Sequence, residues 1–164
     1  MADFMTPKQR SRAMSKVKGE ETKIEQTVRS LLHRRGFRFR KNVKNIPGKP
    51  DIVLPKYKAI VFIHGCFWHH HPGCAKSKLP ETRKEFWKNK IQGNIDRDKK
   101  NIEILLSLAW RVGIIWECAL KKAELVSDPI SELTDWIISE EDLCEIHKPF
   151  GASNSPLVTC IDTN

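Results

Sequence analysis

Two thiols and four imidazoles fall within thirteen residues of this chain, Phe62-Ile63-His64-Gly65-Cys66-Phe67-Trp68-His69-His70-His71-Pro72-Gly73-Cys74. Thiolate and imidazole are the ligands zinc takes in closed tetrahedral sites, and imidazole is the side chain that exchanges protons near neutral pH. The adjacent rings of Phe67 and Trp68 sit between these groups and offer flat faces for stacking. Metal ligation, proton transfer and stacking are thus offered by one short segment, a mixture that a hydrophobic core does not require.

Cys66 and Cys74 bracket His69, His70 and His71, a spacing that lets one loop wrap one ion. A fourth ligand must come from elsewhere. Cys118 is the best candidate: it follows the apolar run Val112–Trp116 as Cys66 follows Ala59–Ile63, and neighbouring strands would bring the two ends together. The pattern alone does not choose among the three histidines. Three thiolates and one imidazole would make a closed site, which is structural rather than catalytic. The competing reading makes Cys66 and Cys118 small buried hydrophobes. Cys144 and Cys160 lie farther along and are expected as free thiols.

Three carboxylates stand out by position. Asp51 follows Gly48-Lys49-Pro50 and opens the apolar stretch Ile52-Val53-Leu54; at such a junction a carboxylate points into a cleft and holds a hard cation, or serves only as a turn residue. Glu25 shares a helical stripe with Val28 and Leu32, and Asp98 lies between Ile95 and Ile102. Charges on apolar faces are costly when unpaired. Structural ion pairs, or a catalytic cluster at a cleft edge, would account for both.

The elements that must position these groups follow from periodicity and punctuation. Ile24, Val28, Leu31 and Leu32 predict a helix over 21–35, stopped by Gly36. The turn Asn45–Pro50 leads into a strand over 51–54, and the short connection 55–58 into a second strand over 59–64, so this pair must be antiparallel. Residues 81–109 read as mainly helical, with Ile95, Ile102, Leu105, Leu106 and Ala109 on one stripe. A third strand spans 110–116 and a last helix 129–138, and weak order is expected beyond Glu140. The sum is an α/β sheet with flanking helices. Three regions are expected: a basic arm over 1–20 carrying Lys8, Arg10, Arg12, Lys16 and Lys18, a single domain over 21–140, and a tail over 141–164.

The chain of 164 residues carries a formal net charge of +9 and a pI of about 9.4, which favours a polyanionic partner such as nucleic acid. No run of about 18 apolar residues exists to cross a membrane, and Met1–Pro7 has no apolar signal core. A cytoplasmic protein is expected, in which clustered cysteines bind metal rather than pair as disulfides.

With these residues assembled, the chain resembles the very-short-patch-repair (Vsr) DNA mismatch endonucleases over roughly residues 8–140. The resemblance rests on four segments in a shared order: KQRSRAMSKVKGEETKIE, PGKPDIVLPKYKAIVFIHGCFWHHH, TRKEFWKNKIQGNIDRDKK and WRVGIIWECAL. It implies a restriction-endonuclease-like central mixed sheet with a structural zinc site. Asp51 matches the catalytic aspartate that holds magnesium, and Ile63 falls where the family uses a backbone carbonyl for the same ion. Glu25, His64, His69 and Asp98 match the other active-site positions. Cys66, His71, Cys74 and Cys118 match the zinc ligands. Phe67, Trp68 and Trp87 match aromatics that wedge into the DNA stack, and Met14 matches an arm residue that intercalates from the other groove. His70 and the tail carry no role over.

The activity implied is magnesium-dependent hydrolysis that nicks double-stranded DNA 5′ of the thymine in a T:G mismatch, repairing deaminated 5-methylcytosine. A MutL-like repair protein is a candidate partner, and a monomer is expected because a nick needs one active site. Two rival readings are a related endonuclease cutting matched DNA at a short sequence in host defence, and a non-catalytic zinc-stabilised DNA-binding module.

Overall fold

The computed structural model describes residues 6–16, 21–120, 127–147 and 157–159. Its helices are α1 (Pro7–Ser15), α2 (Lys23–Arg34), α3 (Lys84–Ser107) and α4 (Ser127–Ile138), and its strands are β1 (Ile52–Leu54), β2 (Ala59–His64), β3 (Arg111–Trp116), β4 (Leu143–His147) and β5 (Leu157–Thr159). The strands form one mixed sheet in the order β1-β2-β3-β4-β5. β1 and β2 are antiparallel, as the four-residue connection demands. β2, β3 and β4 run parallel, and β5 returns antiparallel to β4.

Alternation along β2 sorts the two faces. Ala59 and Val61 pack with Val28 and Leu32 of α2 and with Ile130, Leu133 and Ile137 of α4. Ile60 and Phe62 pack on the other side with Leu105 of α3. The period of two therefore gives α2 and α4 one face and α3 the other. Each fully buried aliphatic side chain, Leu32 and Leu133 among them, contributes about 1.5–3 kcal/mol by leaving water.

Local signals hold the frame. Thr22 caps α2 by accepting the Glu25 N–H at 3.3 Å, and Glu25 answers by accepting the Thr22 hydroxyl at 2.9 Å and the Glu21 N–H at 2.8 Å, so the two side chains together tie down the first turn. Arg111 spreads its guanidinium over the carbonyls of Trp136, Ile137 and Ser139 at the end of α4 and over Tyr57 between β1 and β2, satisfying helix-end acceptors that lack internal partners. At Gly113 a Cβ would lie 2.6 Å from the Trp136 ring, so only glycine lets α4 sit this close to β3.

Two expectations are corrected. Ala109 is not on the buried stripe: it lies past the end of α3, exposed and at φ 58°, because the helix must stop there to turn into β3. A strand also stands where none is expected: the segment 143–147 pairs with β3 and buries Cys144 and Ile146. Its mixed composition hid a half-buried alternation in which Cys144 and Ile146 point inward and Leu143, Glu145 and His147 do not. Cys144 is buried; Cys160 lies outside the described residues. No helix among the described residues is long and apolar enough to cross a membrane.

Candidate active site and metal centre

A cleft of about 550 Å³ opens where β1, β2 and α3 meet, and Glu25, Asp51, Ile63, His64, His69 and Asp98 all line it. Asp51 stands one residue before β1. Its Oδ2 accepts the Ile63 N–H at 2.7 Å, which sets the carboxylate beside the backbone of β2. Arg29, buried on α2, donates to the Asp51 carbonyl from Nε at 3.3 Å and from Nη2 at 3.0 Å. The same guanidinium reaches Asn42 and lies 3.6 Å from Glu25. Burial pushes the Asp51 carboxyl up to about 6; the Ile63 N–H opposes this, Glu25 adds to it, and Arg29 and His69 oppose it. A carboxylate in that state gains by receiving a cation.

His64 ends β2 on the Ile60–Phe62 face, toward α3. It is 6 % exposed and stacks on His69 with ring centroids 3.8 Å apart and planes 3° off parallel. Burial, with help from His69, lowers the His64 pKa to about 3 against the pull of Asp98, so the ring is neutral near pH 7. His69 Nδ1 lies 2.5 Å from Asp98 Oδ2. Burial pushes Asp98 up, but the His69 hydrogen bond and nearby charges outweigh it and hold Asp98 below its usual value. Asp98 is thus an acceptor, and His69 carries its proton on Nδ1.

The second cluster is Cys66, His71, Cys74 and Cys118, whose ligand atoms all lie within 4.8 Å of one another. His71 Nδ1 stands 3.8 Å from Cys66 Sγ and 3.4 Å from Cys118 Sγ. A tetrahedral zinc site, with Zn–S of about 2.3 Å and Zn–N of about 2.0 Å, has edges of about 3.5–3.8 Å, so the donor set fits zinc in type and spacing. Without an ion, the hydrogen bond to Cys118 and then burial push the Cys66 thiol up; a cation reverses that. The register His64↔Trp116 places the ends of β2 and β3 side by side, which brings Cys66 and Cys118 together. His71 is the histidine that joins them. His69 turns to Asp98, and His70, at φ 50°, leaves its buried Nδ1 without a partner among the described residues.

The two clusters share one indole. Trp116 stacks on His71 at 4.2 Å and meets His64 edge-on at 5.2 Å. Between the clusters Phe67 and Trp68 are partly exposed, with ring centroids 5.1 Å apart, and Trp87 of α3 joins them at 5.4 Å from Phe67 and 6.1 Å from Trp68. Met14 lies in α1, and its side chain is outside the described residues.

Several contributors escaped the sequence reading. Asn94, one helical turn before Asp98, is buried and donates from Nδ2 to the Trp68 carbonyl at 2.9 Å. One face of α3 therefore holds both the aromatic step and His69. Its signal was a polar residue in step with Ile91, Asp98 and Ile102. Phe86 extends the aromatic group at 5.3 Å from Trp87, half exposed beneath the Arg83 guanidinium. Arg29 has a local signal in Glu25 four residues before it, but its bonds to the Asp51 carbonyl lie across the fold and had none.

A cleft lined by a buried carboxylate and a histidine–aspartate pair, beside partly exposed aromatics in a basic protein, is consistent with a hydrolase for nucleic acid. Comparison with known proteins agrees. A family model described as DNA mismatch endonuclease Vsr matches residues 2–76. The DNA mismatch endonuclease Vsr of Escherichia coli K12 is 43% identical over 142 residues, covering 85% of this chain and 90% of that protein. A type II nicking enzyme of Neisseria meningitidis serogroup A is 45% identical over 133 residues, covering 81% of this chain and 94% of its own length. One from Haemophilus parainfluenzae is 36% identical, covering 70% and 82%. The chain is a DNA endonuclease and belongs to the Vsr DNA mismatch endonuclease family.

Proposed function

We propose that this chain nicks one strand of double-stranded DNA 5′ of the thymine in a T:G mismatch, using magnesium, and so repairs deaminated 5-methylcytosine. The observation that carries this reading is the loop Phe67-Trp68-His69: partly exposed rings precede a histidine that pairs with Asp98 at the cleft.

Asp51 and the Ile63 carbonyl would hold the magnesium, which supplies Lewis acidity toward phosphate and water. Arg29 fixes the Asp51 backbone and pairs with Glu25, so the acid stays beside β2. With Nδ1–H bound to Asp98, His69 exchanges its proton at Nε2, to or from water or the leaving oxygen. Neutral His64 stacks behind His69 and fixes its plane. Glu25, besides capping α2, borders the cleft and orients water there.

Cys66, His71, Cys74 and Cys118 would hold zinc as a structural ion that sets the aromatic loop next to His69. Phe67, Trp68 and Trp87, with Met14 from the arm, would enter the base stack. Such a wedge must offset unstacking of a few kcal/mol, and a mismatched pair costs less to open. The mixed sheet with Asp51 at the mouth of an antiparallel pair supports a restriction-endonuclease-like fold. In this reading the enzyme acts as a cytoplasmic monomer on DNA, with a MutL-like protein as a candidate partner.

The partly exposed rings favour mismatched over matched DNA, and the carboxylate–histidine cleft disfavours a purely binding role. A nicking assay with magnesium on T:G and matched duplexes of the same sequence tests the proposal: the mismatched duplex alone should be cut, on the thymine strand. Equal cutting of both would favour a matched-site endonuclease, and no cutting a binding module.

A further inference from the structure

The turn that delivers Asp51 holds a lysine in a conformation suited to glycine. Ile46–Lys49 form a β-turn closed by the Lys49 N–H on the Ile46 carbonyl at 3.1 Å. Pro47 and Gly48, at φ 78°, occupy its centre, the pattern of a type II turn. A Cβ on Gly48 would lie 3.0 Å from the Phe62 ring and 3.2 Å from Asn101 Nδ2, so the turn is pressed onto the side of the cleft. The next residue, Lys49, also lies in the left-handed region, at φ 49°, and it precedes Pro50, whose ring restricts it further. Glycine would take this backbone without steric cost. Strain of this kind persists where the side chain has a task.

The surroundings indicate the task. Lys49 is exposed and lines the same cleft as Glu25, Asp51 and Asp98, three acids that would repel a phosphate. Arg97, another cation of the cleft, is engaged with Asn94 Oδ1 at 2.6 Å. The Lys49 ammonium has no hydrogen-bond or ion-pair partner among the described residues, and only Pro50 separates it from Asp51 in the chain.

We propose that Lys49 contacts the phosphodiester being cleaved and offsets the negative charge that builds on it during hydrolysis. The inference rests on the endonuclease reading above and adds a residue to it. A cation that meets developing charge acts chiefly on kcat, and its removal costs about 100-fold.

The test uses the full-length protein with magnesium, comparing wild type, Lys49→Gly, Lys49→Met and Lys49→Arg by nicking kcat and by thermal midpoint. Lys49→Gly relieves the backbone and removes the charge, so its midpoint should rise above wild type while kcat falls about 100-fold. Lys49→Met should lose kcat equally, and Lys49→Arg should recover most of it. A residue needed only to shape the turn gives the opposite result: Lys49→Gly would nick at the wild-type rate, or Lys49→Arg would be no better than Lys49→Met, and either overturns the assignment. If wild type itself leaves T:G duplexes intact, the endonuclease reading fails first, and this inference with it.

Discussion

His69 Nδ1 sits 2.5 Å from Asp98 Oδ2, and one turn earlier on the same helix Asn94 holds the carbonyl of Trp68. The residue proposed to move the proton and the residue proposed to enter the DNA are therefore adjacent in sequence and fixed by one face of α3.

Asp98→Asn replaces the charged acceptor with an amide that no longer stabilises the imidazolium. Nicking should fall by about 10²- to 10⁴-fold, the usual contribution of positioned acid–base catalysis. Zinc content and DNA affinity should stay at wild type. Single-turnover nicking alongside metal analysis checks this; an unchanged rate would place the proton transfer elsewhere.

Asp51 gives a pH dependence with a definite sign. Its folded-state pKa of about 6 lies above the ordinary 3.8. The stability contributed by its protonated form is fully present below about pH 4 and is lost as pH rises through about 6. Magnesium needs the ionised form, so its affinity should fall about tenfold per pH unit below 6. Asp51→Asn should abolish nicking, keep DNA affinity, and raise the thermal midpoint of the magnesium-free protein at pH 8. A magnesium affinity flat from pH 5 to 7, measured by titration calorimetry, would show that the ion is held elsewhere.

Much of this arrangement is legible in the chain because it is local. The stripe Val28–Leu32, the alternation of β2 and the four-residue connection after β1 fix which faces are buried and which strands are antiparallel. That Cys66 and Cys118 follow two apolar runs is enough to suggest their meeting. What local patterns do not carry is choice among equivalents and partnership at distance. His71 is singled out from its two neighbours by where the folded loop sets its ring, and Arg29, which pairs locally with Glu25, reaches the Asp51 carbonyl only when Asp51 folds back onto α2. β4 is not legible locally because pairing with β3, rather than its own composition, makes it a strand.

Cys118→Ser tests the zinc assignment. One zinc per chain should co-purify with wild type; the variant should lose it and unfold at lower temperature, since a closed zinc site contributes folding energy directly. Full metal content with unchanged stability would contradict the ligand set.

Trp68→Ala should remove stacking worth about 1–3 kcal/mol, by analogy with aromatic platforms on single strands. The loss should fall on T:G duplex, where the ring is inserted, and spare matched duplex, where phosphate contacts dominate. Affinities for both duplexes at one salt concentration decide it. Equal weakening would make Trp68 a general contact or folding residue.

The central claim, mismatch-directed nicking, is tested most directly by mapping the cut. Duplexes that differ only at one pair, T:G or matched, are end-labelled on each strand in turn and incubated with the zinc-loaded protein and magnesium. One nick should form, on the thymine strand and 5′ of the mismatched thymine, while the guanine strand and the matched duplex stay intact. Cleavage of the matched duplex at the same rate, or of both strands, would contradict the account.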